Sequence, residues 1–509
     1  MILSKPILLA ATAAALRTPF QVPIDSTAGS GTDVGDINGK LPLVDSEKLQ
    51  ALIKGDALLA RAEKLYAIAQ LSEDEYNHPT RVIGSEGHIG TIEYIYSSLA
   101  ALGNYYKLSN QSFPAVSGNV FESRLVLGHS VPATAQPMGL TPATANKEPV
   151  YGPLVLVADD GCDAVDYPSS VAGAIALIQR GTCPFGTKSA LAGQAGARAA
   201  VVYNNEPGGV SGTLGTPSPD HIATFGVSSE EAAPFIDALK SGESVDAIAY
   251  IDAEVVSIST TNVIAQTAGG DQDNCVMLGA HSDSVEAGPG INDDGSGSLT
   301  LLEVAKQLTK FGVKNCVRFA WWAGEEEGLL GSDYYVAQLP AKENVKIRLF
   351  MDYDMLGSPN YAFQVYDARD KVNPKGSQAL RDLYTSWYER RGLNWTYIPF
   401  DGRSDYDGFI RNGIPGGGIA TGAEGIKTDE EEKAFGGRAG DWYDPCYHQL
   451  CDDVGNVNVT AWVINSRLVA HSVATYAVSL EDFPERKLEE VRSAMAETGW
   501  KYHGHKLVV

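Results

Sequence analysis

The chain has 509 residues, with 63 acidic against 39 basic side chains and a formal net charge of −24. Its 44% hydrophobic content is ordinary for a globular protein, and the length fits two or three domains. The acidic balance excludes a nucleic-acid binder, which needs a basic surface, and no segment after the N-terminus is long and apolar enough to span a bilayer.

In chain order, Lys5 precedes an alanine-rich apolar stretch, Pro6–Leu16, with the small residues Ala13, Ala14 and Ala15 as a cleavage site. Residues 1–15 are therefore expected to be a signal peptide and the mature protein to be secreted. Residues 16–45 are polar, rich in Gly, Asp and Pro, and aperiodic, as in a pro-segment or flexible lead. Helical spacing begins near Ser46 (Leu49, Leu52, Ile53), recurs through Leu58–Leu71, and returns over His88–Leu102. From about Leu125 to Ile251, short β-type runs take over at 154–157, 174–178 and 199–203, separated by Gly- and Pro-rich turns. After Asn262, strands are expected at 275–280, 315–322, 347–353, 362–366 and 416–420. Helices are expected between them, at about 296–311, 330–337, 376–391, 404–411 and 460–479. That alternation implies an α/β fold with a mixed, mostly parallel sheet flanked by helices. The helices at 46–102 have no strands of their own, so they are assigned to this later sheet, with the β-rich block inserted. The expected boundaries are 46–124 and 256–485 for the two parts of the main domain, 125–255 for the insert and 486–509 for a tail.

Six cysteines, an even number without a Cys-x-x-Cys motif, point to an oxidised compartment. Cys162 and Cys183 lie in one region, and Cys446 and Cys451 are five apart. Cys275 and Cys316 each sit near the start of an expected strand, within disulfide reach if those strands are neighbours. The expected pairs are 162–183, 275–316 and 446–451. Sequons at Asn110, Asn394 and Asn458 are expected glycosylation sites.

Gly279–Leu299 carries His281, Asp283, Asp293 and Asp294 where an apolar strand hands over to a helix. Ligands and catalytic groups collect outside the carboxyl ends of strands in open α/β sheets, and imidazole with carboxylate suits zinc. Two further strands run into carboxylates, Val317–Trp322 into Glu325, Glu326 and Glu327, and Ile347–Met351 into Asp352 and Asp354. Tyr447 and His448 follow near the end. Singly, each piece has a plain structural use: a glutamate run is a solvated turn, an aspartate a helix cap, a lone His a structural residue. One of Asp293 and Asp294 is expected to cap the helix at 296. Together, in order and on three strand ends, they read as one site.

The segments GAHSDSVEAGPGINDDGSG, WWAGEEEGLLGS, DYDMLGSPN, GRSDYDGF and DPCYHQLC resemble, in order, those of peptidase family M28, whose members include zinc aminopeptidases. The block GAIALIQRGTCPFGTKSALAGQAGARAAVVYNN resembles a PA domain. The resemblance implies two zinc ions, one on His281 and Asp354, one on Glu326 and His448, with Asp293 bridging them. It implies Glu325 as general base, Asp283 orienting His281, Tyr447 stabilising the oxyanion and Arg403 positioning the substrate near its amino end. Glu327 stands where relatives often have an apolar residue. The activity implied is release of apolar, leucine-like residues from peptides with a free N-terminus, by a secreted monomer without nucleic-acid or membrane partners. A carboxypeptidase on the same fold would need a basic pocket, for which Arg403 is the candidate. An inactive binding scaffold would need no intact ligand set.

Overall fold

The computed structural model describes residues 41–492, apart from 206, 207, 211, 216 and 482. The expected signal peptide, most of the lead and the tail beyond 492 lie outside the described residues.

Among the described residues, thirteen strands form one continuous sheet: β1 (Tyr106–Leu127), β2 (Gln136–Pro137), β3 (Val150–Leu156), β4 (Ile175–Gln179), β5 (Ala199–Tyr203), β6 (Thr224–Val227), β7 (Asp246–Thr267), β8 (Asp271–His281), β9 (Asn315–Trp322), β10 (Ile347–Tyr353), β11 (Gln364–Tyr366), β12 (Thr396–Ile398) and β13 (Gly416–Ala420). Their order is β12-β11-β13-β10-β8-β9-β7-β3-β4-β5-β6-β2, with β1 paired to β7. The central strands β13, β10, β8 and β9 are parallel, and antiparallel partners flank them. The sheet is thus mixed, with a parallel centre.

The central strands are apolar on both sides because helices cover both faces. Val276, Leu278 and Ala280 of β8 join one core with the helices Ser46–Leu52, Gly55–Ala69, Glu86–Ala100, Gly295–Leu308 and Val459–Val478. Met277 points the other way, into a cluster with Trp322, Phe350, Tyr335 and Phe409. The last two lie on the helices Leu330–Ala337 and Tyr406–Arg411. The early helices therefore complete the core of the later sheet, as their lack of strands implies.

The sequence reading missed the element that joins the two parts. β1 and β7 are 22-residue antiparallel partners. The first half of β7 pairs with β3 in the inserted block, and its second half pairs with β9 in the main sheet. The boundaries expected at 124/125 and 255/256 fall inside these strands, so no linker separates the parts there. The end of the expected flexible lead is also pinned. Leu43 bridges Gly312, whose N–H donates to Pro42 O at 2.8 Å and whose carbonyl accepts from Val44 N at 2.9 Å.

The three disulfides are 162–183, 275–316 and 446–451, the pairs expected from the sequence, and the second joins register partners on β8 and β9. Of the sequon asparagines, Asn394 is exposed and Asn110 is half-buried on β1. Asn458 caps the helix Val459–Val478, its side-chain oxygen accepting from Ala461 N.

Candidate active site

β8, β9 and β10 are parallel neighbours, so their carboxyl ends share one rim. His281 is the last residue of β8, Glu325 and Glu326 follow β9 by three and four residues, and Asp354 directly follows β10. Asp293 precedes the helix Gly295–Leu308, and His448 arrives on a loop closed by the Cys446–Cys451 disulfide, with φ of 57°. Asp294 is the cap, its Oδ1 accepting from Gly297 N at 2.8 Å. A Cβ on Gly297 would lie 2.0 Å from Tyr353 O, so only glycine lets this helix start against the end of β10.

Among the described residues, two groups of side chains could each hold a metal ion: His281, Asp293 and Asp354, and Asp293, Glu326 and His448, with ligand atoms within 4.8 Å of one another. Asp293 belongs to both. Its Oδ1 lies 3.2 Å from His281 Nε2 and its Oδ2 lies 3.2 Å from His448 Nε2. Glu326 Oε2 is 3.2 Å from His448 Nε2, and Asp354 Oδ1 is 3.8 Å from His281 Nε2. Glu325 stands outside both groups, its Oε2 4.0 Å from His281 Nε2. Glu326 Oε1 and Asp354 Oδ1 are buried without a hydrogen-bond partner. Buried carboxylate oxygens left unsatisfied are what a bound cation compensates, so the donor set fits zinc.

Asp283 ties two of these segments together. Its Oδ1 is 3.7 Å from His281 Nδ1, and its two oxygens accept from the backbone N–H groups of Glu325 and Glu326, each at 3.3 Å. Burial raises the Glu325 carboxyl well above its usual range, and Asp354 rises to about 7, again chiefly by burial. Burial alone would also raise Asp293, but hydrogen bonds from His281 and His448 outweigh it and keep that carboxyl low. Both histidines are held toward their charged form by the surrounding carboxylates, against the opposing effect of burial.

Asp293, Glu325, Glu326, Asp354 and His448 line a cleft of about 270 Å³ together with Leu329, Met355, Gly402, Arg403 and Tyr447. The Tyr447 ring stacks on His448, with centroids 3.7 Å apart. Arg403 is exposed and donates from Nη1 to Glu424 Oε1 at 2.8 Å. Glu327 is buried and absent from the cleft lining.

Two supporting residues, Asp452 and Arg81, and a second role of Asp294 escape the sequence reading. Asp452 accepts the N–H groups of Asn292 and Asp293 at 2.9 and 3.0 Å. Asp294, read only as a cap, also accepts from His281 N at 3.2 Å and Met355 N at 3.1 Å. Arg81, wholly buried, binds the loop between His281 and Asp293. Only the glycine-serine turn after Asp294 carries a local signal; the other two partners are far away in sequence.

Residues 262–473 match the profile of Peptidase family M28, and residues 150–235 match that of the PA domain. Over 88% of its length, and 83% of the relative's, the chain is 50% identical to aminopeptidase Y of Saccharomyces cerevisiae.

The chain belongs to peptidase family M28.

It is a metalloaminopeptidase of that family, with a PA domain. Leucine aminopeptidase 2 of Trichophyton equinum is 44% identical over 87% of this chain and 88% of its own. The fold is shared with the aminopeptidase from Aneurinibacillus sp. strain AM-1, at a TM-score of 0.68, 24% identity and coverage of 87% of this chain and 97% of that one. It is also shared with a zinc aminopeptidase from Bacillus subtilis, at a TM-score of 0.60, 22% identity and coverage of 86% and 96%.

Proposed function

We propose that this M28 peptidase is a secreted, monomeric, dinuclear zinc aminopeptidase that removes apolar, leucine-like N-terminal residues from peptides. The observation that carries the dinuclear reading is Asp293, which offers one carboxylate oxygen to each histidine. In this reading His281 and Asp354 complete one ion's site, and Glu326 and His448 complete the other.

Bound zinc would supply Lewis acidity and lower the pKa of the attacking water. Glu325 is the general base: it is half-buried at the site, belongs to neither ligand group, and is a carboxyl whose raised pKa suits taking a proton and passing it to the leaving amine. Asp283 orients His281 and, through its bonds to the Glu325 and Glu326 N–H groups, also fixes the base. Tyr447, in the cleft beside His448, directs its hydroxyl to the developing oxyanion. The substrate's free α-amine is matched to the carboxylate cluster. Leu329 and Met355 are the apolar groups available to its first side chain. Arg403 positions the substrate from the cleft wall. Its pairing with Glu424 removes the free basic pocket that a carboxypeptidase needs, which favours the aminopeptidase reading.

The deciding assay compares a free-amine leucine anilide with its N-acetylated form, with and without chelator. Hydrolysis of the free amine alone, abolished by chelation, is expected; cleavage of only the blocked substrate would overturn the proposal. Glu325→Gln should lower kcat by about 10²- to 10⁴-fold while zinc stays near two per chain. Near-normal kcat in that variant removes Glu325 as base. Secretion is supported by the apolar N-terminal stretch, the three disulfides and the sequons. The N-terminus and glycan masses of protein from culture medium test it, and size-exclusion chromatography tests the monomer.

A further inference from the structure

Arg81 lies on the loop before the helix Glu86–Ala100, in the part of the chain that precedes β1. It is wholly buried, and three of its side-chain nitrogens serve one loop. Nε donates to Pro289 O at 2.8 Å, Nη2 to Gly290 O at 2.6 Å, and Nη1 to Ser282 O. Its backbone N–H donates to Ser284 Oγ at 2.9 Å, and its backbone carbonyl accepts from Ser284 N at 3.3 Å. Two neighbours reinforce the contact: Thr80 Oγ1 donates to Val285 O at 3.0 Å, and His88 Nε2 lies 3.1 Å from Ser282 Oγ.

The loop so gripped is the one that connects His281 to Asp293. Ser282 stands directly between His281 and Asp283. Gly290 has φ of 58°, and a Cβ there would lie 2.2 Å from Asp293 O and 3.0 Å from Arg81 Nη2, so the loop is packed on the guanidinium without slack. Asp452 holds the end of the same loop by the N–H groups of Asn292 and Asp293. The loop is therefore clamped at its carbonyls by a cation and at its amides by a carboxylate. Burial disfavours the charged form of Arg81, and the carboxylates of Asp283, Asp294, Asp452 and Asp293 oppose that effect. A guanidinium has the planar fork needed to meet three carbonyls at once, which an ammonium lacks.

We propose that Arg81 is a positioning residue of the metal centre, whose fork sets the His281–Asp293 loop and whose charge offsets the surrounding carboxylates. This rests on the dinuclear reading above. The gripped loop carries two of the three ligands of one ion, His281 and Asp293, but only the shared Asp293 of the other, so the effect is larger on the ion held by His281, Asp293 and Asp354.

The test uses the full chain, as wild type, Arg81→Lys and Arg81→Met. Zinc content is counted after dialysis, stepwise affinities are measured by competition with a chromophoric chelator, and the cobalt-substituted proteins are compared by visible absorption. Removing an outer partner of a metal ligand typically costs about 10- to 100-fold in affinity. Arg81→Met is expected to weaken the ion of His281, Asp293 and Asp354 by that factor, to weaken the other less, and to change one component of the cobalt spectrum more than the other. Arg81→Lys is expected to behave nearer to Met than to wild type. A merely structural arginine would lower the melting temperatures of metal-free and metal-loaded protein alike and leave both affinities unchanged, which overturns the proposal. Should Arg81→Met fail to fold, Arg81→Lys decides: unchanged stepwise affinities in that variant overturn it equally. If wild type binds a single ion, the dinuclear reading fails, while the change in that ion's affinity between wild type and variants still judges Arg81.

Discussion

Single carboxylates in this site divide their oxygens between different partners. Asp293 turns one oxygen to each histidine, Asp294 caps a helix while accepting from His281 N, and Asp452 accepts two consecutive amides. In the dinuclear reading proposed above, Asp293→Ala is expected to lose both ions together, read by metal analysis after dialysis; retention of one ion at normal affinity would show that the carboxylate does not bridge. Asp283→Ala leaves the ligands intact but frees the His281 ring and the Glu325 and Glu326 amides. Its expected effect is a drop of about 10- to 100-fold in kcat or zinc affinity. His281, Glu325, Glu326 and Asp354 were legible because they end or closely follow apolar strand-like runs, and Asp293 and His448 through the resemblance of their motifs, His and carboxylate being the side chains zinc takes. Arg81 and Asp452 were not legible. An isolated arginine or aspartate carries no periodicity, and each meets its loop only after the chain has folded.

Elements differ in the same way. The strands from β8 to β10 are mainly apolar runs, broken only by Arg318, Arg348 and Asp352 past the polar start of β8, and declare themselves. β1 does not: its burial is irregular, and it contains Pro114, a residue that demotes a strand reading. β1 pairs with β7 alone, so it tolerates the missing N–H at an edge. A prediction belongs to the contact between the helices Leu330–Ala337 and Tyr406–Arg411. Asp333 is buried there, and burial, then the nearby Asp407, push its carboxyl up to about 7. A raised carboxyl pKa means stability that is full below the unfolded value and lost as pH rises through about 7. Asp333→Asn should thus melt higher than wild type at pH 8 and lose that advantage toward pH 4, by on the order of 2 kcal/mol at the high end. Equal melting curves across that range would show that the carboxyl bears no such penalty. The Cys446–Cys451 loop carries Tyr447 and His448, so Cys446→Ser with Cys451→Ser is expected to weaken zinc binding more than it lowers the melting temperature.

At the scale of the whole molecule, an ion bound at this site would also stabilise the fold. The site gathers Asp293, Glu325, Glu326 and Asp354 around two histidines, and with no ion Asp354 rises to about 7, chiefly through burial. The metal-free protein therefore loses stability as pH rises through about 7, and chelation should lower the melting temperature more at pH 8 than at pH 6. Ligand bound only to the folded state adds roughly 2.7 kcal/mol at a hundredfold excess over its dissociation constant, so added zinc should reverse the loss. A chelator without effect on melting would remove the ions from the fold's support. The sequence by itself determined the α/β class, the order of the central strands and helices, the disulfide pairs and the residue types that meet at the rim. Those are carried by local periodicity, spacing and side-chain chemistry. Only the tertiary structure decided how the insert is joined, what clamps the His281–Asp293 loop, and which oxygen faces which ring. Those depend on contacts between residues up to 209 positions apart, for which a lone chain of letters has no local mark.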